Sequence, residues 1–296
     1  MRRLRSERAP AGSRLAIATS LAPGLVLFVV FYLVAIGTLA ATAFTDWSLR
    51  GATFVGVDNF AVLVGDDRFW MAVRNTGFFI VASLVIEIPM ATMVALVLAR
   101  AVHGWRIMRV LLFLPNMMSP AALGLVFLFV FNARFGLING ALRAIGLDGL
   151  ARDWLYDVDT AIFAVAATRV FTFGLYVILI LNEIHSLPPE IQEAAQLDGA
   201  DGWKREWWIT LPLVRPVVAT CTLLSVLGSL AVFEGVYVMT RGGPADQTIT
   251  LGVYSYLAYS RGDWGLANAV GLVMLVTGAV LILLIRRLGR MEHSDR

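Results

Sequence analysis

Apolar residues in this chain gather into uncharged runs long enough to cross lipid, separated by short charged segments. The first run lies between Arg14 and Asp46, the third between Arg109 and Arg134, the fifth between Arg215 and Glu234, and the sixth between Asp263 and Arg286. Two others hold one charge each: Asn75 to Ala99 contains Glu87, and Thr160 to Asn182 contains Arg169. A helix of about 20 residues crosses the roughly 30 Å of hydrocarbon, and it satisfies its own backbone groups there. The pattern therefore predicts an all-α integral membrane protein with six transmembrane helices. Its first uncharged stretch runs for 31 residues. A secretory signal core spans about 7 to 15 residues, so this stretch reads as a retained helix although Ala41-Thr42-Ala43 resembles a cleavage site.

Six spans put both termini on one side, and basic residues say which. Segments 1–14, 100–109, 183–215 and 286–296 hold 15 Lys and Arg in 68 positions, against 8 in 89 for segments 45–74, 132–159 and 234–264. The richer set belongs in the cytoplasm. The chain then divides into a cytoplasmic segment 1–14, a membrane domain 15–285 with a cytoplasmic loop at 183–215, and a cytoplasmic tail 286–296. Trp47, Trp70 and Trp264 fall at the outer boundary and Trp105 at the inner one, as interface anchors.

Composition agrees, with 58% hydrophobic and 15% charged residues. A net charge of +3 beside membrane spans is explained by orientation and implies no nucleic acid partner. A phosphate-binding loop of the Walker A type needs Gly-Lys-Ser/Thr, and the one lysine, Lys204, sits between Trp203 and Arg205. The chain is therefore expected to be neither an ATPase nor a membrane enzyme. His103, His185 and His293 lie on separate segments and Cys221 stands alone within the fifth span, so no metal, disulfide or catalytic group is expected.

The loop at 183–215 carries the most specific motif, Glu193-Ala194-Ala195-Gln196-Leu197-Asp198-Gly199, followed at a distance by Ile209-Thr210-Leu211-Pro212. Prolines 188 and 189 stop the fourth span, good helix formers occupy Ile191 to Leu197, and Gly199 ends the turn. A second short helix is expected from about Gly202 to Ile209. Ile191, Ala194, Ala195 and Asp198 recur at spacings of three and four, a small-residue face that a groove can approach closely. The acids Glu190, Glu193, Asp198 and Asp201 argue against a helix lying on anionic lipid.

This stretch resembles the EAA loop of ABC importer permeases. The resemblance extends to Phe54–Phe60, Phe69–Thr76, Arg109–Pro115 and Thr240–Pro244, and so to the carbohydrate branch of that family, similar to permeases for maltose, other oligosaccharides or glycerol-3-phosphate. Leu33 departs from it, since proline is common at this place in the first span. The resemblance implies the type I importer permease fold in a bacterial inner membrane, as half of a translocation pathway. It implies as partners a second related permease, two ABC ATPase copies that hold the ATP and Mg, an extracytoplasmic sugar-binding protein, a carbohydrate and membrane lipid, with no cofactor bound by this chain. Glu193, Ala194, Ala195, Asp198 and Gly199 become the ATPase-docking residues.

Charges at mid-span are costly, about 2.5 to 3.5 kcal/mol each on insertion scales. Glu87 and Arg169 are therefore expected to face protein or water. Either they form an ion pair between the second and fourth spans, or they line the substrate path; for a phosphorylated or acidic sugar, Arg169 would become a ligand. Ser225 and Ser229 share one face of the fifth span, with Glu234 and Tyr237 continuing near its outer end. By resemblance this stretch contributes sugar contacts, whereas serines also serve as small residues for close helix packing. An ion-coupled secondary transporter using Glu87 and Arg169 as a relay is the alternative reading, although it needs no docking loop.

Overall fold

The computed structural model describes residues 11–48, 51–100 and 104–291. Arg2, Arg3, Arg5 and Arg8 of the basic N-terminal segment, His103, and residues 292–296 of the tail lie outside the described residues. Among the described residues the architecture is helical apart from one antiparallel pair of strands, Thr45–Ser48 with Gly51–Phe54, in which Thr45 faces Phe54 and Trp47 faces Ala52. Five helices among the described residues are long and apolar enough to cross a membrane, or six if one bent pair counts as a span.

In chain order the helices are α1 (Thr19–Thr42), α2 (Asp58–Gly65), α3 (Asp67–Ala99), the bent pair α4 (Trp105–Met117) and α5 (Pro120–Val130), and α6 (Leu137–Ala144). There follow α7 (Ala161–Ser186), α8 (Pro189–Leu197), α9 (Trp203–Leu230), α10 (Glu234–Thr240), α11 (Leu251–Ser260) and α12 (Trp264–Arg287).

Three of these differ from the sequence expectation. The third span is not straight: α4 and α5 meet at 103°. Met118 and Ser119 are extended there, Ser119 Oγ accepts from the Ala122 amide at 3.2 Å, and Pro120 opens α5. Proline disfavours helical geometry at the residue before it and is pre-set for a first turn, so the chain stops and restarts. Next, α3 begins at Asp67 rather than near Asn75, because Asp66 caps it by accepting from the Arg68 amide at 2.9 Å. Finally, the expected short helix after Gly202 and the fifth span are one helix, α9. Charges mark where a helix leaves hydrocarbon, not where its backbone hydrogen bonds end.

Pro89 and Pro212 are absorbed by locally widened turns. Ile88 donates to Ser83 O five residues back, immediately before Pro89, and Leu211 donates to Glu206 O in the same way before Pro212. A proline cannot donate and would press on the carbonyl four residues back, and the widened turn relieves both defects. α1 has a comparable turn at Val29–Val34, spanning Leu33, without a proline.

Two apolar clusters form the interior. One gathers Phe69 and Phe79 of α3, Phe127 of α5, Val165 of α7, Leu230 of α9, the α10–α11 region and Val270 of α12. The other gathers Ile88 to Leu98 of α3, Phe173 to Ile184 of α7, and Val214 and Cys221 of α9. Along α3, α7 and α9 alike, the chain passes from one cluster to the other within a few residues. α7 approaches α4 so closely that a Cβ at Gly174 would lie 1.9 Å from Leu112 O, so only glycine fits there.

Candidate functional site

At the seam between the clusters, α3, α7 and α9 bring Glu87, Arg169 and Ser225 together. Glu87 ends the widened turn of α3, Arg169 lies in a tight 3-10 turn of α7, and Ser225 faces inward from α9. Arg169 Nη2 donates to Glu87 Oε2 at 2.9 Å, and Ser225 Oγ donates to the same oxygen at 2.6 Å. Glu87 is 3% exposed and Ser225 0%, so the carboxylate is stabilised by a cation and a hydroxyl rather than by solvent. Arg169 Nε is buried without a partner among the described residues.

Ser229 is also fully buried, its hydroxyl donating to Ser225 O at 2.8 Å. The shared face of Ser225 and Ser229 is thus occupied by contacts within the chain and does not border open space. The other two candidate pathway residues lie elsewhere. Glu234 is exposed at the start of α10, and Tyr237 is half-buried in an aromatic cluster with Phe233 and Tyr256, with ring centroids 4.8 to 5.5 Å apart.

The motif of α8 separates into an inner and an outer half. Ala200 N donates to Ala195 O at 2.8 Å and Gly199 N to Gln196 O at 3.1 Å, with Gly199 at φ +70°. These paired bonds are a Schellman ending, and Ala195 and Ala200, both buried, supply its apolar contact. Ala195 therefore packs on its own chain, although it shares the small-residue face read from the sequence. Glu193, Ala194 and Asp198 are exposed. What this segment presents outward is the carboxylates of Glu190 and Glu193, the Leu197 side chain and, just past the last turn, the Asp198 carboxylate, on a short, firmly terminated helix. Gly202, at φ +57°, then turns the chain into α9, where the Arg100 guanidinium sits 5.5 Å over the Trp203 ring.

At the opposite end a clamp joins the start of α3 to the segment after α10. Asn75 Nδ2, on a side chain 1% exposed, donates to Gln247 O at 3.0 Å and Ile249 O at 2.9 Å, and Thr76 Oγ1 accepts from Leu251 N at 3.0 Å. Arg68 pairs with Asp246 at 2.7 Å, and Tyr254 Oη donates to Asp66 Oδ2 at 2.6 Å. Burial and the Asp66 carboxylate push the Tyr254 phenol above its usual range and keep it a neutral donor. Asn59 Nδ2 similarly ties α2 to Ala43 O and Thr45 O, each at 2.9 Å. In the motifs at Phe54–Phe60, Phe69–Thr76 and Thr240–Pro244, the side chains of Asn59, Asn75, Thr76 and Thr240, the last meeting the Thr248 hydroxyl at 2.6 Å, thus fix the loops at this end. Nothing in their spacing announces that they meet.

Residues 87–291 match the family model described as binding-protein-dependent transport system inner membrane component. The chain is 31% identical over 270 residues to a probable ABC transporter permease protein, YurN, of Bacillus subtilis, covering 89% of this chain and 92% of the relative. It is 33% identical over 273 residues to a lactose transport system permease protein, LacF, of Rhizobium radiobacter, covering 88% and 89%. A diacetylchitobiose uptake system permease protein, NgcF, of Streptomyces coelicolor is 30% identical over 284 residues, covering 89% and 80%. Among solved structures, a bacterial ABC transporter involved in the import of the acidic polysaccharide alginate superposes with a TM-score of 0.83 and 23% identity over 95% of this chain and 96% of that one. At that identity the likeness carries the fold.

Proposed function

This chain belongs to the binding-protein-dependent transport system inner membrane components, and from that membership we propose that it forms one half of the membrane pathway of an ATP-driven carbohydrate importer. It is a multi-pass permease subunit, and the family's ATPase activity resides in other chains. The carbohydrate class is supported by relatives whose names specify lactose and diacetylchitobiose. In the proposed arrangement α4 and α5 together make the third of six spans within 15–285. The ends 1–14 and 286–296 and the loop 183–215 face the cytoplasm. A second related permease completes the path, two ATPase copies holding ATP and Mg dock on α8, and an extracytoplasmic binding protein delivers the sugar. This chain binds no cofactor.

The observation that carries this reading is the outward Glu193 of α8, with Asp198 just past its last turn, on a helix locked at its end by Gly199. A rigid, charged projection between two membrane-crossing helices can transmit a displacement, whereas a frayed loop would absorb it. ATPase closure pushes α8, Gly202 passes the push to α9, and the bonds of Ser225 and Arg169 to Glu87 carry it to α3 and α7. Glu234 and the Tyr237 cluster border the path at one end; Ser225 and Ser229 reach it only when the seam opens. The ion-coupled alternative is not favoured, because Glu87 is held between Arg169 and Ser225 and the family is driven by binding protein and ATPase.

The test is Glu193→Lys in the assembled complex. The variant inserts and assembles, but sugar uptake falls at least about tenfold, since a charged hydrogen bond worth about 1.5 to 3 kcal/mol is replaced by repulsion. Undiminished uptake with normal binding-protein-stimulated hydrolysis would remove α8 from the coupling route.

A further inference from the structure

The first two turns of α9 carry three exposed indoles and one cation that the docking and pathway roles leave unused. Trp203, Trp207 and Trp208, with Lys204, line an open cleft of about 490 Å³. Trp208 is 77% exposed, the most exposed tryptophan among the described residues.

Helix length places this cleft relative to the bilayer. α9 has 28 residues, or about 42 Å at 1.5 Å per residue, which exceeds the roughly 30 Å of hydrocarbon and matches a bilayer with its headgroups. The 20 residues Leu211–Leu230 account for about 30 Å alone. Trp203–Thr210 adds about 12 Å on one side and therefore crosses the headgroup layer there, about 5 to 7 Å deep, from just beyond its outer edge to the hydrocarbon. Indoles are favoured there, with the ring against glycerol and acyl carbons and the N–H toward polar groups.

Charge then selects the headgroup. Glu206 is 1% exposed and is engaged by Arg205 Nη2 at 2.8 Å, which neutralises both. The Arg100 guanidinium lies over Trp203. Lys204 is exposed and forms no ion pair among the described residues. The acids that disfavour an anion are mainly on α8 and its turn; Asp201, three residues before Lys204, is the nearest along the chain. A cation beside an aromatic cleft at headgroup depth is complementary to a lipid phosphate.

We infer that Trp203, Lys204, Trp207 and Trp208 form a binding site for an anionic phospholipid, with Lys204 at the phosphate and the indoles against the glycerol and upper acyl chain. The lipid fills this cleft and stiffens the start of α9.

The experiment is native mass spectrometry of the complete complex, purified from membranes and offered equal amounts of phosphatidylglycerol and phosphatidylcholine. Wild type retains phosphatidylglycerol several-fold over phosphatidylcholine. Lys204→Gln abolishes that preference, Lys204→Arg keeps it, and Trp208→Ala lowers retention of both lipids. Equal phosphatidylglycerol retention by wild type and Lys204→Gln overturns the inference. So does lipid retention that appears only after the ATPase is stripped, which would mean that the ATPase covers the cleft. Because the readout is lipid mass on an assembled complex, its failure leaves the transport function untouched.

Discussion

Arg169 and Glu87 form the one ion pair among the described residues that joins two membrane-crossing helices. Its side chains are 18% and 4% exposed, and Ser225 ties a third helix to the same carboxylate oxygen. The pair therefore fixes where α3, α7 and α9 cross. Breaking one side of such a pair costs more than replacing both, because the survivor is left as an uncompensated charge.

Glu87→Gln and Arg169→Gln are each expected to destabilise the complex by about 3 kcal/mol or more. The double variant should lose less than the two single losses combined, with a coupling of about 1 to 3 kcal/mol. A double-mutant cycle on thermal unfolding of the detergent-extracted complex checks this, and additive losses would show that the charges act separately.

Ser225→Ala removes a hydroxyl donor from a charged acceptor and should cost about 1.5 to 3 kcal/mol in the same unfolding measurement. In a Glu87→Gln background its effect should shrink, since the acceptor is no longer charged. An undiminished effect there would assign Ser225 to helix packing.

Ser229→Leu should lower recovery of assembled complex, whereas Ser229→Ala should be well tolerated. The hydroxyl is fully buried and bonded to its own helix, so leucine overpacks a closed seam at a typical cost of about 1 to 3 kcal/mol. Size-exclusion yield separates the two variants, and normal assembly of Ser229→Leu would mean that this face opens onto free space.

Gly199→Ala tests the ending of α8 by itself. A Cβ there meets nothing within 4 Å, so the whole penalty is the left-handed backbone, about 1 to 2 kcal/mol. The substitution should leave insertion and stability nearly intact while loosening the projection that carries Glu193. Sugar transported per ATP hydrolysed should fall, and an unchanged ratio would argue that rigidity of α8 is immaterial.

Hydropathy located the membrane-crossing regions because burial in lipid acts on every side chain of a run at once. It missed the 103° break between α4 and α5 because Ser119-Pro120 changes direction without changing polarity. It also cut α9 short, since a helix continues through the headgroup layer where charges are allowed. In α8 the motif residues were visible, but their division was not: Ala194 and Ala195 look alike in sequence, and only the Schellman bonds show that one faces out and the other in. Two charges in otherwise apolar runs single out Glu87 and Arg169 on cost alone. Ser225 as their third member was not legible, because it lies 138 residues from Glu87 and serines are common wherever helices pack closely.

Uptake of a labelled oligosaccharide into proteoliposomes holding this chain with a companion permease and ATPase decides whether it works as half of an ATP-driven importer. ATP is enclosed in the lumen and the binding protein is added outside. Uptake should require both ATP and binding protein and should survive collapse of proton and sodium gradients. Gradient-driven uptake without ATP, by vesicles holding this chain alone, would contradict that role.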